Sequence, residues 1–325
     1  MMTSYEKLLP LIEERINQYT RELPSSGLND PIRYLMEFGG KRIRPAIALM
    51  ACELFGGKIS EALSASVALE VFHNFTLVHD DIMDQAPLRR GKTAVHIKWT
   101  TNSAILSGDV MSIHATQLIC SSRQSWVHDV LSTFLKTAVE VCEGQQLDMD
   151  FEARTIVSHE EYIEMIRLKT AVLLACALKI GASIGGAGVE DQEKLYQFGE
   201  NMGLAFQIKD DYLDVFGDHS KVGKQAGGDI VSNKKTFLSV SALELANDGQ
   251  RQLWINLLHL DADHAKRKVE EVTQLYRTLG IDSLALEAVS LYSAKAFGAL
   301  NELEVPEERK EGLLRFVESL ANREK

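Results

Sequence analysis

Two copies of one acidic pattern, each set in an apolar stretch with helical spacing, limit what this chain can fold into. The first reads Asp80-Asp81-Ile82-Met83-Asp84 and the second Asp210-Asp211-Tyr212-Leu213-Asp214. At ~3.6 residues per turn, Asp80 and Asp84 leave one face of a helix, and so do Asp210 and Asp214. Like charges at that spacing repel, so each motif loses stability unless a cation joins its carboxylates. Oxygen-only ligand sets suit Mg²⁺, which takes one or two carboxylates and completes its shell with water and substrate phosphate. A fold that turns the two motifs toward each other would make a socket for a diphosphate.

The remaining pattern is helical almost throughout. Apolar residues recur at three- and four-residue spacing through residues 5–19, 59–78, 129–147 and 172–184. Alternating strand patterns bounded by tight hairpin turns are hard to find. Breaks fall at residues 24–27, 56–57, 185–188 and 217–228, none long or biased enough to act as a linker. The expectation is an all-α bundle around a central cavity, one domain over residues 1–325, whose core helices bring the motifs together. The Gly-, Lys- and Asp-rich stretch 218–232 is the expected mobile loop beside that site.

Composition excludes several function classes. A net charge of -11 with no basic tail argues against nucleic-acid binding. No uninterrupted run of about 18 apolar residues suggests a membrane span, and the first residues lack the apolar segment of a signal peptide. Cys52, Cys120, Cys142 and Cys176 are widely spaced and read as reduced, buried thiols, so a cytoplasmic setting is the default expectation.

Cations and glycines gather around the acidic motifs. Gly39-Gly40-Lys41-Arg42-Ile43-Arg44-Pro45 precedes the first, and Arg89-Arg90-Gly91 follows it. Gly144-Gln145-Gln146-Leu147-Asp148 and Lys169-Thr170 lie between the two. Gly223-Lys224 and Asp229 through Lys234 follow the second. Scattered Lys and Arg are ordinary solvated surface. Beside carboxylates and glycines they match phosphate oxygens, Arg with forked donors and Lys as a point charge.

With these motifs in this order, from about Phe38 to Leu238, the chain resembles the trans-isoprenyl diphosphate synthases, an all-helical prenyltransferase family. The resemblance implies that an allylic diphosphate (dimethylallyl, geranyl or farnesyl) is condensed with isopentenyl diphosphate, diphosphate being released. It implies that Asp80, Asp84 and Asp210 are direct ligands in a cluster of about three Mg²⁺ ions, each finishing its shell with substrate oxygens. Asp81, Asp211, Asp214, Gln145 and Asp148 would support those ligands. Arg89, Lys169, Lys224 and Lys234 would hold the allylic diphosphate, while Thr170 and Gln207 line the path of the allylic cation. Lys41, Arg44, His73 and Arg90 would form a metal-free pocket for isopentenyl diphosphate. A homodimer is also implied.

That chemistry explains the residue types. An allylic C–O bond ionises only if the charge growing on the leaving diphosphate is neutralised, which metals and fixed cations do. The cation then needs a dry cavity. Within the resemblance, product length is set upstream of the first motif by Phe72, Phe75 and Thr76. A single aromatic at position 75 resembles geranylgeranyl-length synthases, and paired aromatics at 75 and 76 would suggest farnesyl length. A wheel of about 100° per residue nonetheless sets Thr76 and Phe72 nearer the Asp80 face than Phe75. Two alternatives stand beside this reading: an ionisation-dependent terpene cyclase, and a non-catalytic synthase-like subunit.

Overall fold

The structure is a computed structural model and describes residues 4–122, 124–217, 227–260 and 262–321. In chain order the helices are α1 (Ser4–Glu22), α2 (Asp30–Met36), α3 (Ile43–Leu54), α4 (Ile59–Met83), α5 (Val95–Lys98), α6 (Thr101–Cys120), α7 (Val127–Glu152) and α8 (His159–Ile166). A π-helical turn (Arg167–Ala171) joins α8 to α9 (Val172–Gly185). Then come α10 (Val189–Phe216), α11 (Gly228–Val231), α12 (Phe237–Leu245), α13 (Asp248–Leu258), α14 (Ala265–Thr278), α15 (Ile281–Asn301) and α16 (Glu307–Ala321). The all-helical expectation holds with one small addition. Leu88–Arg89 (β1) pairs antiparallel with Lys92–Thr93 (β2), and the two residues between, Arg90 and Gly91, have φ of 52° and 74°. Two consecutive positive φ values are the requirement of a type I′ hairpin turn, which Gly91 eases.

The chain forms two compact units, each drawn from separate stretches. One takes residues 1–135, 176–195 and 304–316; the other takes 136–175, 196–303 and 317–325. In the first unit α4 packs against α3 and α6. Residues 65–72 of α4 are buried on every face, which a helix covered by neighbours on both sides requires. The charged exception there is Glu70. It accepts from Arg42 Nη1 at 2.9 Å, while Arg42 also reaches Glu13 Oε1 at 2.8 Å and Met36 O at 3.0 Å. A buried charge needs that degree of pairing, since a lone one costs several kcal/mol.

In the second unit a core of Phe151, Tyr162, Ile208, Phe237, Trp254 and Tyr276 gathers α8, α10, α12, α13 and α14. Its helix starts are written locally. Ser158 with Glu161, Thr236 with Ser239 and Asn247 with Gln250 form reciprocal capping boxes at α8, α12 and α13.

One sequence expectation needs correction. Cys52 and Cys176 are buried, but Cys120 and Cys142 are exposed, because each faces out from a surface helix. The continuous helix His159–Gly185 is long and apolar enough to cross a membrane by composition, yet 67% of its apolar window is buried inside the protein, as in a core helix.

Candidate functional site

In the first unit the acidic motif closes α4. Asp84 is the C-cap, its N–H donating to Asp80 O at 2.8 Å, and the last turn carries no basic residue. Carboxylates at the negative end of a helix dipole are disfavoured, so this end of α4 calls for a cation. The adjacent pair divides its labour. Asp80 is half-buried and Asp84 exposed, whereas Asp81 turns inward at 1% exposure. Arg89 from the hairpin grips Asp81 Oδ1 with Nε at 2.9 Å and Nη2 at 2.5 Å. Arg89, expected on the diphosphate, is therefore also the counter-charge of the buried motif carboxylate.

An anion-seeking cluster lies in the same unit. The hairpin turn aims Arg90 at Gly39 O, to which its Nη1 donates. The Arg44 Nε is buried with no hydrogen-bond partner. Burial pushes the Arg44 guanidinium down to about 10, with Arg90 adding to the shift and Glu70 opposing it. His73 is held well below its ordinary range, first by burial and then by Arg44, Arg90, Arg89 and Arg42. A neutral histidine among arginines, one with an unused buried donor, is an arrangement that an anion would stabilise. Lys41, from the same Gly-Gly-Lys stretch, is exposed.

The chain-length candidates also sit here. Phe72 is buried and stacks edge-on to Phe134 at 5.2 Å and near Phe75 at 5.3 Å. Phe75 is half-buried, with the His79 ring edge-on to it at 4.8 Å. Thr76 Oγ1 donates back to His73 O at 2.8 Å.

The second unit repeats the same division. On α10, Asp210 is exposed and Asp211 is buried. Asp211 Oδ2 accepts from Tyr162 Oη and from Phe237 N–H at 2.8 Å, and Oδ1 accepts from Gln207 Nε2 at 3.1 Å. Burial still raises its carboxyl to about 7, against the pull of those three donors. Because the Gln207 amide nitrogen faces Asp211, its oxygen faces Thr170, whose Oγ1 donates to it at 3.2 Å. Asp214 receives the Asp229 N–H at 3.0 Å on Oδ2, and its own carbonyl receives Gly227 N–H at 2.8 Å.

Lys169 and Thr170 belong to the π-helical turn, a geometry common at functional sites. The turn is gripped on two sides. A Cβ on Gly144 of α7 would overlap Lys169 N, and one on Gly203 of α10 would stand 2.5 Å from Ala171 Cα. So the glycine of Gly-Gln-x-x-Asp has a backbone reason. The Asp148 of that motif accepts from Lys169 Nζ at 2.5 Å, and Gln145, half-buried, lies one turn before it on α7.

Asp229 was not singled out from the sequence as a site residue. Its carboxyl is pushed up to about 6, chiefly by burial, with Asp214, Asp210 and Asp148 raising it and Lys234 opposing. Its nearness to Lys234 in the sequence was the available signal; its nearness to the acidic motif comes from the fold. Lys224, most of the loop 218–232 and the tail Arg323 through Lys325 lie outside the described residues.

The donor set can be tested against Mg²⁺. Among the described residues, no three His, Cys, Asp or Glu side chains converge as a self-sufficient metal site. Mg²⁺ does not require one, because one or two carboxylates with substrate phosphates suffice. Within its own unit, the excess of carboxylates around Asp229 fits such an ion, and so, separately, do the carboxylates at the α4 C-terminus.

The family model described as polyprenyl synthetase matches residues 25–278 of the chain. A short chain isoprenyl diphosphate synthase of Methanothermobacter thermautotrophicus is 38% identical over 327 residues, covering 100% of this chain and 99% of the relative. A geranylgeranyl diphosphate synthase of Methanosarcina mazei is 46% identical over 217 residues, covering 65% and 66%. A crystal structure of a geranylgeranyl pyrophosphate synthase superimposes with a TM-score of 0.94 at 41% identity, covering 100% of both chains.

Proposed function

The chain belongs to the polyprenyl synthetase family, and from that premise we propose how its residues carry out a trans-prenyl transfer. It works as a short-chain isoprenyl diphosphate synthase, joining an allylic diphosphate to isopentenyl diphosphate, with the whole chain acting as one synthase domain. The observation that carries this reading is the paired arrangement of the two acidic motifs. In each, one aspartate is buried and fixed while its neighbour stays accessible. Asp80, Asp84 and Asp210 are the Mg²⁺ ligands of this reading, and Asp81, Asp211, Asp214 and Asp148 hold their surroundings. Bound there, Mg²⁺ supplies neutralisation of the charge that grows on the leaving diphosphate.

Lys169, Lys234, Arg89 and Lys224 add fixed positive charge to the same diphosphate, so the allylic C–O bond breaks with its electron pair leaving on oxygen. The oxygens of Thr170 and Gln207, oriented through Asp211, line the path of the allylic cation. Lys41, Arg44, Arg90 and His73 hold the diphosphate of isopentenyl diphosphate without metal; the unused Arg44 Nε and the neutral His73 support this. The isopentenyl double bond attacks, a new C–C bond forms, and the proton lost from the adduct passes to the departed diphosphate.

Asp80→Ala and Asp210→Ala should each lower turnover by about a hundred-fold or more, the scale of losing transition-state charge stabilisation. Melting temperature should stay near wild type, since neither side chain is buried. Undiminished diphosphate release by both variants would sink the metal assignment.

We propose geranylgeranyl diphosphate as the product, with farnesyl diphosphate next. The single aromatic at Phe75 and the geranylgeranyl synthases among the relatives support this. Phe75→Ala should lengthen the product, and an unaltered chromatographic profile would remove Phe75 as the determinant. A homodimer is proposed as well; exposed Leu106 and Ile113 of α6 offer apolar surface for it.

A further inference from the structure

The segment that follows the second acidic motif is fastened by α14. Gly227 (φ 73°) begins it, bonded to Asp214 O, and a Cβ there would come within 2.7 Å of Val269 Cγ1. At the other end, Lys268 Nζ donates to Asn233 Oδ1 at 2.6 Å and to Val231 O at 3.3 Å. Asn233, held at φ 58°, donates in turn from Nδ2 to Leu258 O at 3.1 Å. Between these anchors Lys234 N–H closes the turn on Asp229 O at 2.9 Å.

Lys268 is only 2% exposed, and its bonds run to neutral oxygens. Burying an ammonium without a carboxylate costs several kcal/mol, and a methionine would fill similar volume without that cost. Packing alone therefore does not account for a lysine here. Its three donors do, because they can hold the Val231 carbonyl and the Asn233 side chain at once.

We propose that Lys268 is a positioning residue for the allylic half of the reaction, fixing the turn from Val231 to Lys234 and so aiming Lys234 and Asp229. The inference rests on the role given to Lys234 on the allylic diphosphate. Displacing a charge-bearing turn by about 1 Å can cost a hundred-fold in rate.

The test is steady-state kinetics on the full chain with each substrate varied in turn. Lys268→Met should lower kcat/KM for the allylic diphosphate by about a hundred-fold while leaving KM for isopentenyl diphosphate unchanged. Asn233→Gly, at an exposed position whose positive φ glycine accepts, should give the same split and decides the matter if Lys268→Met does not fold. Folded variants with wild-type allylic kcat/KM, or with KM for isopentenyl diphosphate raised as far as KM for the allylic diphosphate, overturn the proposal. Lys234→Ala separates the two levels. If Lys234→Ala alone harms allylic kinetics, only the positioning role fails; if even Lys234→Ala is harmless, the assignment of Lys234 fails beneath it.

Discussion

His73 shows how neighbours decide what one side chain can do. Its position seven residues before Asp80 was legible, but the arginines around it arrive from the Gly-Gly-Lys stretch and the hairpin, and only the fold assembles them. The native chain holds His73 neutral well below its ordinary value of 6.5. On acidification the unfolded chain therefore takes up a proton that the native chain refuses. The contribution of His73 to native stability is intact above about 6.5 and is lost as pH falls below it. Urea midpoints measured from about pH 7.5 down to about pH 5.5 should fall less steeply for His73→Gln than for the wild type. Equal slopes would contradict the neutral assignment. Asp81 and Asp211 teach the converse. Spacing predicts which aspartates share a helix face, yet it does not say that the second aspartate of each motif turns inward, because Arg89 reaches Asp81 only through the fold of the hairpin and Tyr162 reaches Asp211 from another helix.

Local signals wrote most of the elements. The four apolar-periodic stretches became α1, α4, α7 and α9, and the capping boxes start α8, α12 and α13 where Ser, Thr or Asn precedes the apolar run. The hairpin escaped notice because its strands are two residues each and its turn is Arg-Gly rather than Asn-Gly. The π-helical turn escaped for a deeper reason. Nothing in Arg167–Ala171 by itself asks for the extra residue per turn, and the shape is imposed by backbones packed on it at Gly144 and Gly203. Gly144→Ala should force α7 off Lys169, costing about 1–3 kcal/mol of stability by overpacking and lowering turnover through the displaced Lys169 and Thr170. Thermal melts and kcat measured together test this; a variant unchanged in both would show that the close approach is dispensable.

Across the full chain, class and chemistry were readable because the candidate site residues come in short motifs that follow one another in a recognisable order. The split into two compact units, each gathered from separated stretches, was not readable, because long-range packing rather than any linker creates it. The rival chemistry is that of a cyclase, which ionises one allylic diphosphate and needs no second substrate. Lys41, Arg44, His73 and Arg90 would then have nothing to hold. Product analysis after incubating the purified chain with Mg²⁺ and geranyl or farnesyl diphosphate, with and without isopentenyl diphosphate, therefore tests the account most directly. The account predicts a longer prenyl diphosphate, reaching geranylgeranyl length, only when isopentenyl diphosphate and Mg²⁺ are both present. A cyclised or hydrolysed product formed at the same rate without isopentenyl diphosphate would contradict it.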